Sequence, residues 1–277
     1  MFLTKLKRFS LNTAFLDENN NKVEYQEILN FNKRVSKVLK KKSLVFVVSE
    51  NSIDSLLGYA SILVSKSVIM PINIQIKNND LINLIKKYQP NYIWCDLNFF
   101  PETILRLFKS TVGYKNYCLF EAIKKKNYQI NRSLKILLST SGSLGESKSV
   151  KLTTKNLMSN TIAISKYLKL NSKDRTISCL PWSYSYGMSI INTHLYSGGT
   201  IVVTKKSLLD KEFWSLYNFS NITNFNGVPF LYEVIKKIGF NKLINLNLKF
   251  ITQAGGKMEA NLSKEISKIC KKKKIIF

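Results

Sequence analysis

The stretch LLSTSGSLGESKSVKLTTKNL, residues 137–157, sets hydroxyls and glycines between two apolar runs and then supplies a lysine. Gly142 and Gly145 permit positive φ, so successive backbone N–H groups can converge into an anion nest. Thr140, Ser141 and Ser143 add hydroxyl donors, and Lys148 adds a point charge suited to phosphate oxygens. The spacing approaches a Walker loop. However, Ser147 stands where that loop needs glycine, and SVKL alternates like a strand instead of opening a helix. The residues read as a phosphate-holding turn between two strands; a hydroxyl-rich hairpin without a ligand is the alternative they leave open.

Outward from this turn, strands alternate with helices. On the N-terminal side, Tyr25, Ile28, Leu29, Val35, Val38 and Leu39 fall on one face of a helix over 24–40. SLVFVVS (43–49) reads as a buried strand, and Asn51 is placed to cap a helix over 53–64. A strand at 67–72, a helix at 78–88 and a strand at 92–95 follow. Residues 99–132 are lysine-rich and less regular, and read as a surface connection. Beyond the turn come helices near 155–168, 188–196, 211–219, 229–238 and 260–270, with strands near 176–180, 200–204, 222–225 and 248–253. KIIF (274–277) reads as the first half of one more buried strand. This alternation predicts an α/β fold of two doubly wound subdomains, 1–133 with its connecting segment and 134–277 carrying the turn.

Composition narrows the function classes. Apolar residues make up 45% of the 277 and aromatics 12%, which argues for an ordered core. No run of about 18 apolar residues occurs, so no membrane span is expected, and the N-terminus lacks the pattern of a signal peptide. Cys95, Cys118, Cys179 and Cys270 are scattered, as reduced thiols of a cytoplasmic protein would be. The formal charge of +26 points toward anionic partners. The lysines are nevertheless dispersed among Asn, Ile, Tyr and Phe, as an AT-rich coding sequence would spread them, which disfavours nucleic-acid binding. His194 is the single histidine, which excludes His-based metal clusters and disfavours a Ser-His-Asp triad; it reads as a partly buried structural residue.

TSGSLGESKSV and LTTKN resemble, in register, the signature loop of adenylate-forming enzymes: acyl-CoA synthetases, adenylation domains of peptide synthetases and luciferase-like enzymes. Three more segments resemble that family in the same order. LPWSYSYGMS carries Tyr184 at the usual histidine position and Gly187 at the glycine. NGVPFLYEVI carries Gly227, Val228 and Pro229 near the substrate pocket. ITQAGGKM places Gly255, Gly256 and Lys257 beside the adenine. Departures are Leu144 for a hydroxyl, Glu146 at the tip, Ser147 for proline, Ser149 for glycine and Thr154 for histidine. The resemblance implies that Thr140, Ser141, Gly142, Ser143, Gly145 and Lys148 clasp the phosphates of ATP. It also implies Mg2+, a small carboxylic acid activated to an acyl-adenylate, and CoA or an acyl carrier protein as acceptor. Lys148 and Tyr184 are the implied catalytic residues.

In that family the strand expected at 274–277 leads into a Y-G-x-T-E segment whose glutamate helps hold Mg2+, then into a mobile C-terminal domain with a catalytic lysine. Neither is in this sequence. The resemblance therefore implies the N-terminal part of an AMP-dependent ligase, truncated or split, inactive alone or completed by a separately encoded C-terminal part. The alternative is a non-catalytic remnant that binds an acidic carrier protein.

Overall fold

Strand β3 (Leu44–Ser49) is buried at every position, which requires cover on both faces of its sheet. The computed structural model describes residues 2–139 and 149–277 and supplies that cover. β3 pairs in parallel with β4 (Val68–Asn73) and β5 (Tyr92–Asp96), and β4 pairs in parallel with β8 (Leu134–Ser139). β9 (Ser149–Thr153) runs antiparallel beside β8, with Ser139 opposite Ser149. The hairpin β6 (Phe108–Tyr114) and β7 (Tyr117–Ala122) completes a seven-stranded sheet in the order β6-β7-β5-β3-β4-β8-β9.

A second sheet has six strands. β10 (Arg175–Ser178), β11 (Thr200–Val203), β12 (Asn224–Gly227) and β13 (Phe250–Gln253) join β1 (Thr13–Asp17) and β2 (Lys22–Glu24) in the order β13-β12-β10-β11-β1-β2. All its pairings are parallel except β1 with β2.

Strand parity then builds the layers, because successive side chains point to opposite faces. Val45 and Val47 of one sheet and Phe15, Ile201 and Val203 of the other belong to one core. Helices α2 (Tyr25–Val38), α3 (Ile53–Leu63) and α7 (Ser185–Ser197) fill it, with Leu157 and Met158 of α6 (Thr154–Tyr167). Phe46, Val48 and Met70 turn the other way, onto α4 (Asn78–Tyr88) and α5 (Glu102–Leu105). Leu16, Val202 and Phe225 turn onto α8 (Lys211–Phe219), α9 (Pro229–Ile238) and α10 (Ala260–Lys273). The result is five layers, with both sheets facing the central helices.

Three expectations change. Residues 99–132 are not a loose connection: α5 and the β6–β7 hairpin lie there, turned at Lys115 in the left-handed region (φ 48°). The lysine tract at 124–126 lies just after the hairpin, whose own strands hold one lysine and whose inward residues include Val112 and Leu119. The sheets also do not divide at 133/134. β1 and β2 from the N-terminal side join the second sheet, and β8 and β9 join the first. Finally, Ser52 caps α3, accepting from Ser55 N at 3.3 Å. Asn51 instead bridges the sheets, donating to Ser178 O at 3.1 Å and accepting from Ser178 Oγ at 3.0 Å. KIIF does add to the second sheet beside β13, through a parallel bridge between Phe250 and Ile276.

Two contacts fix β8 and α3 in place. Lys135 of β8 is buried without a carboxylate and donates to the carbonyls of Ile62 (3.3 Å), Ser65 (2.7 Å) and Ser67 (2.9 Å) at the end of α3. Burial, with repulsion from Lys42, pulls its pKa down to about 7. On α3, a Cβ at Gly58 would fall 2.1 Å from Trp94 Nε1, which donates to Asp54 O. Gly58→Ala is therefore expected to destabilise the protein by about 1–3 kcal/mol through overpacking. The check is a lower urea midpoint with an unchanged m-value.

Candidate functional site

α7 begins at the carboxyl ends of the second sheet's strands, and its start requires a glycine. A Cβ at Gly187 would lie 2.4 Å from the carbonyl oxygen of Pro181. This close approach lets the chain turn from Pro181 through buried Trp182, whose Nε1 donates to Glu50 O at 3.0 Å, into the helix. Tyr184 is the N-cap residue, with an extended backbone and a half-exposed side chain.

Beside this turn lies a cavity of about 950 Å³. It is bordered by Ser139 at the end of β8, Val150 of β9, Tyr184 and Tyr186, and Thr252 through Gly255 after β13. Its inner wall is largely apolar, with Leu157, Ile164, Met188 and Ile190. Crevices outside the carboxyl ends of strands are where open α/β sheets bind ligands.

The floor is polar and tightly ordered. His194 is buried, and its Nδ1–H donates to Ile190 O at 2.8 Å, which leaves Nε2 to accept from Asn224 Nδ2 at 3.1 Å. Asn224 Oδ1 accepts from Asn226 Nδ2 at 2.8 Å, and Asn226 Oδ1 accepts from Thr252 Oγ1 at 2.6 Å. Thr252 Oγ1 has spent its proton, so Tyr186 donates to it at 2.8 Å. Tyr232 of α9 closes the set by donating to Thr252 O at 2.6 Å. One hydrogen-bonded chain thus ties α7, β12, β13 and α9 beneath the cavity. Burial pushes Tyr186 up to about 12 and holds His194 below its usual value, so both are neutral near pH 7.

The residues expected at a site fall into three groups. Tyr184 and Gly255 line the cavity. Gly255 has φ +82°, and its missing Cβ leaves room for Val228 Cγ1, which would otherwise sit 3.1 Å away. Gly256 is exposed next to it and accepts from Gln253 Nε2 at 2.8 Å; Lys257 is exposed as well. Gly187, Gly227, Val228 and Pro229, expected near a substrate pocket, are not among the residues that line this cavity. Gly187 packs on Pro181, and Gly227 packs on Tyr232, 2.9 Å from a built Cβ. Val228 caps α9 and Pro229 opens it, 3.5 Å from a Cβ built at Gly256. At Gly187 and Gly227 the backbone passes its neighbours too closely for a side chain. Thr140, Ser141, Gly142, Ser143, Gly145 and Lys148 lie outside the described residues; the strands that flank them, β8 and β9, reach the cavity.

Sequence reading missed Asn226, Thr252, Tyr186 and Asn192. The available signal was polar residues in otherwise buried elements, NFNG in β12 and INTH in α7, where an amide persists only with partners.

An open α/β crevice with glycine turns at its rim places the chain in the class of parallel-sheet proteins with a cavity at the carboxyl ends of their strands. The comparisons fix the family. The chain matches the AMP-binding enzyme family over residues 2–276 and belongs to it. It is 30% identical to an acyl-CoA synthetase of Gibberella moniliformis over 135 residues, 48% of this chain and 24% of that protein. To a hybrid PKS-NRPS synthetase of a Fusarium species it is 24% identical over 265 residues, 91% of this chain and 7% of that protein. Its fold superposes on the N-terminal domain of FACL13 from Mycobacterium tuberculosis with a TM-score of 0.76 at 13% identity, covering 97% of this chain and 73% of that one. The chain thus spans less than a quarter of those two sequence relatives.

The buried histidine gives a stability test. Its folded pKa lies below 6.5, so its contribution is complete above pH 6.5 and is lost as the pH falls below it, where the unfolded chain takes up a proton first. Unfolding free energy should fall between pH 7 and pH 5 in the native chain, and fall less in His194→Gln, measured by urea titration at each pH.

Proposed function

We propose that the cavity and its rim take ATP and a carboxylic acid, as the binding half of an AMP-forming acyl ligase. The carrying observation is that one cavity borders Tyr184, Gly255 and the ends of both strands flanking the Lys148 turn. ATP supplies the phosphorus that a carboxylate oxygen attacks, with pyrophosphate leaving, to give the acyl-adenylate. In this reading the hydroxyls of Thr140, Ser141 and Ser143, the backbone at Gly142 and Gly145, and Lys148 neutralise the departing phosphates. Gly255, Gly256 and Lys257 lie along the adenine, where an exposed glycine backbone admits a flat ring. Tyr184 sits at the cavity mouth, placed by the turn at Gly187 to orient the carboxylate against the α-phosphate. The apolar wall of Leu157, Ile164, Met188 and Ile190 takes the acyl group, dry and largely pre-formed.

Among the described residues, no group of three or more His, Cys, Asp or Glu side chains forms a metal site. In this reading Mg2+ would arrive with ATP and offset the charge of its phosphates. The acceptor thiol in this reading belongs to CoA or to an acyl carrier protein; a strongly basic surface favours an acidic carrier. Because the chain spans only part of its relatives, the proposal places turnover with a further polypeptide segment and binding with these residues. Among the described residues no helix is long and apolar enough to cross a membrane.

Calorimetry with ATP and with adenosine tests the reading. ATP should bind the chain more tightly than adenosine, and Lys148→Ala should weaken ATP about tenfold to a hundredfold while leaving adenosine unchanged. Equal loss for both ligands, or no binding of either, contradicts it. Pyrophosphate exchange by the 277 residues alone should be absent; robust exchange would overturn the division of labour.

A further inference from the structure

Two buried polar atoms bordering the large cavity have no hydrogen-bond partner among the described residues: Asn192 Nδ2 and Ser183 Oγ. Asn192 is the sharper case. It lies on α7, is 1% exposed, and its Oδ1 accepts from Tyr59 Oη at 2.8 Å. The hydroxyl of Tyr59 is buried and has no other acceptor among the described residues, so its proton fixes the amide: oxygen toward α3, nitrogen away from it. Both N–H hydrogens of Asn192 are then unspent. Buried amides in folded proteins almost always find partners, and a persistent orphan beside a cavity marks the place of a missing acceptor.

Among the described residues no neighbouring group pairs with Asn192 Nδ2. Met188 and Ile190 flank Asn192 on α7, and Leu157 and Ile164 come from α6. Asn226 and Thr252, the polar groups of the floor, are committed to one another at 2.6 Å. Asn192 lies eight residues beyond Tyr184, the helix N-cap, which is about 12 Å along the axis. If the carboxylate is held at Tyr184, an acceptor meeting Asn192 belongs several carbons along the acyl chain.

We propose that Asn192 selects carboxylic acids bearing a carbonyl or hydroxyl oxygen partway along the chain, over plain alkyl acids. The proposal rests on the acid-binding reading of the cavity and deepens it. It makes Asn192 a specificity residue: its locked amide spends a desolvated donor on the right substrate and leaves it unpaired with the wrong one.

Calorimetric titration of the full chain with decanoic acid and with its mid-chain keto analogues tests this. At least one keto acid should bind about fivefold to tenfold more tightly than decanoic acid. In Asn192→Leu that ratio should fall to about one. Because Asn192→Leu strands the Tyr59 hydroxyl, the double variant Tyr59→Phe/Asn192→Leu, which removes both ends of the bond, is measured beside it with the same expectation. Equal binding of keto and alkyl acids by the native chain overturns the proposal and leaves the acid site standing. A keto preference that survives in either variant overturns the assignment to Asn192. Binding of neither acid overturns the acid-binding reading, and this one with it.

Discussion

The constraint on which the rest depends is a run of buried side chains that must satisfy one another. His194, Asn224, Asn226, Thr252 and Tyr186 pass donors and acceptors from α7 across β12 to the end of β13 without leaving one of the linking groups unused. In a low-dielectric interior such a chain is stabilising when complete and costly when broken. Thr223 and Asp174 extend it outward to Lys249, whose Nζ lies 2.8 Å from Asp174 Oδ1. The consequence is geometric: α7 cannot slide along the sheet, so Tyr184 at its start and Gly255 beyond β13 keep their places on one rim. The cavity is a result of that closure.

Much of this was legible in sequence, for identifiable reasons. β3 and β4 are apolar up to their last residue, and helices such as α4, α8 and α9 have apolar periodicity with clear boundaries, so local pattern located them. The hairpins were less legible. β1–β2 is short, and β6 mixes Lys109, Ser110, Thr111 and Gly113 among its apolar residues, so neither rises above its surroundings. Which sheet a strand joins is not local at all: β8 follows a connection but pairs with β4, and β1 pairs with β11 almost two hundred residues later.

The site divides in the same way. The glycines at turns were visible because close approach leaves a residue-type signature, and Gly187 and Gly227 pack closely on Pro181 and Tyr232. Asn226 and Thr252 gave a weak signal because their meaning lies in each other, 26 residues apart. The net charge was the least informative feature. Lys135 spends its charge on three backbone carbonyls, and Lys205 and Lys236 pair at the surface with Glu50 and Glu265. Such exposed pairs contribute little.

The central claim is that ATP, held by the Lys148 turn, shares a rim with Tyr184 and Gly255. Amide hydrogen exchange of the chain with and without ATP tests it most directly. The account predicts slowed exchange on ATP addition in the segments around 139–150, 183–188 and 252–257 together, with little change in the β6–β7 hairpin. Protection confined to one of those segments, or centred elsewhere on the molecule, would contradict it.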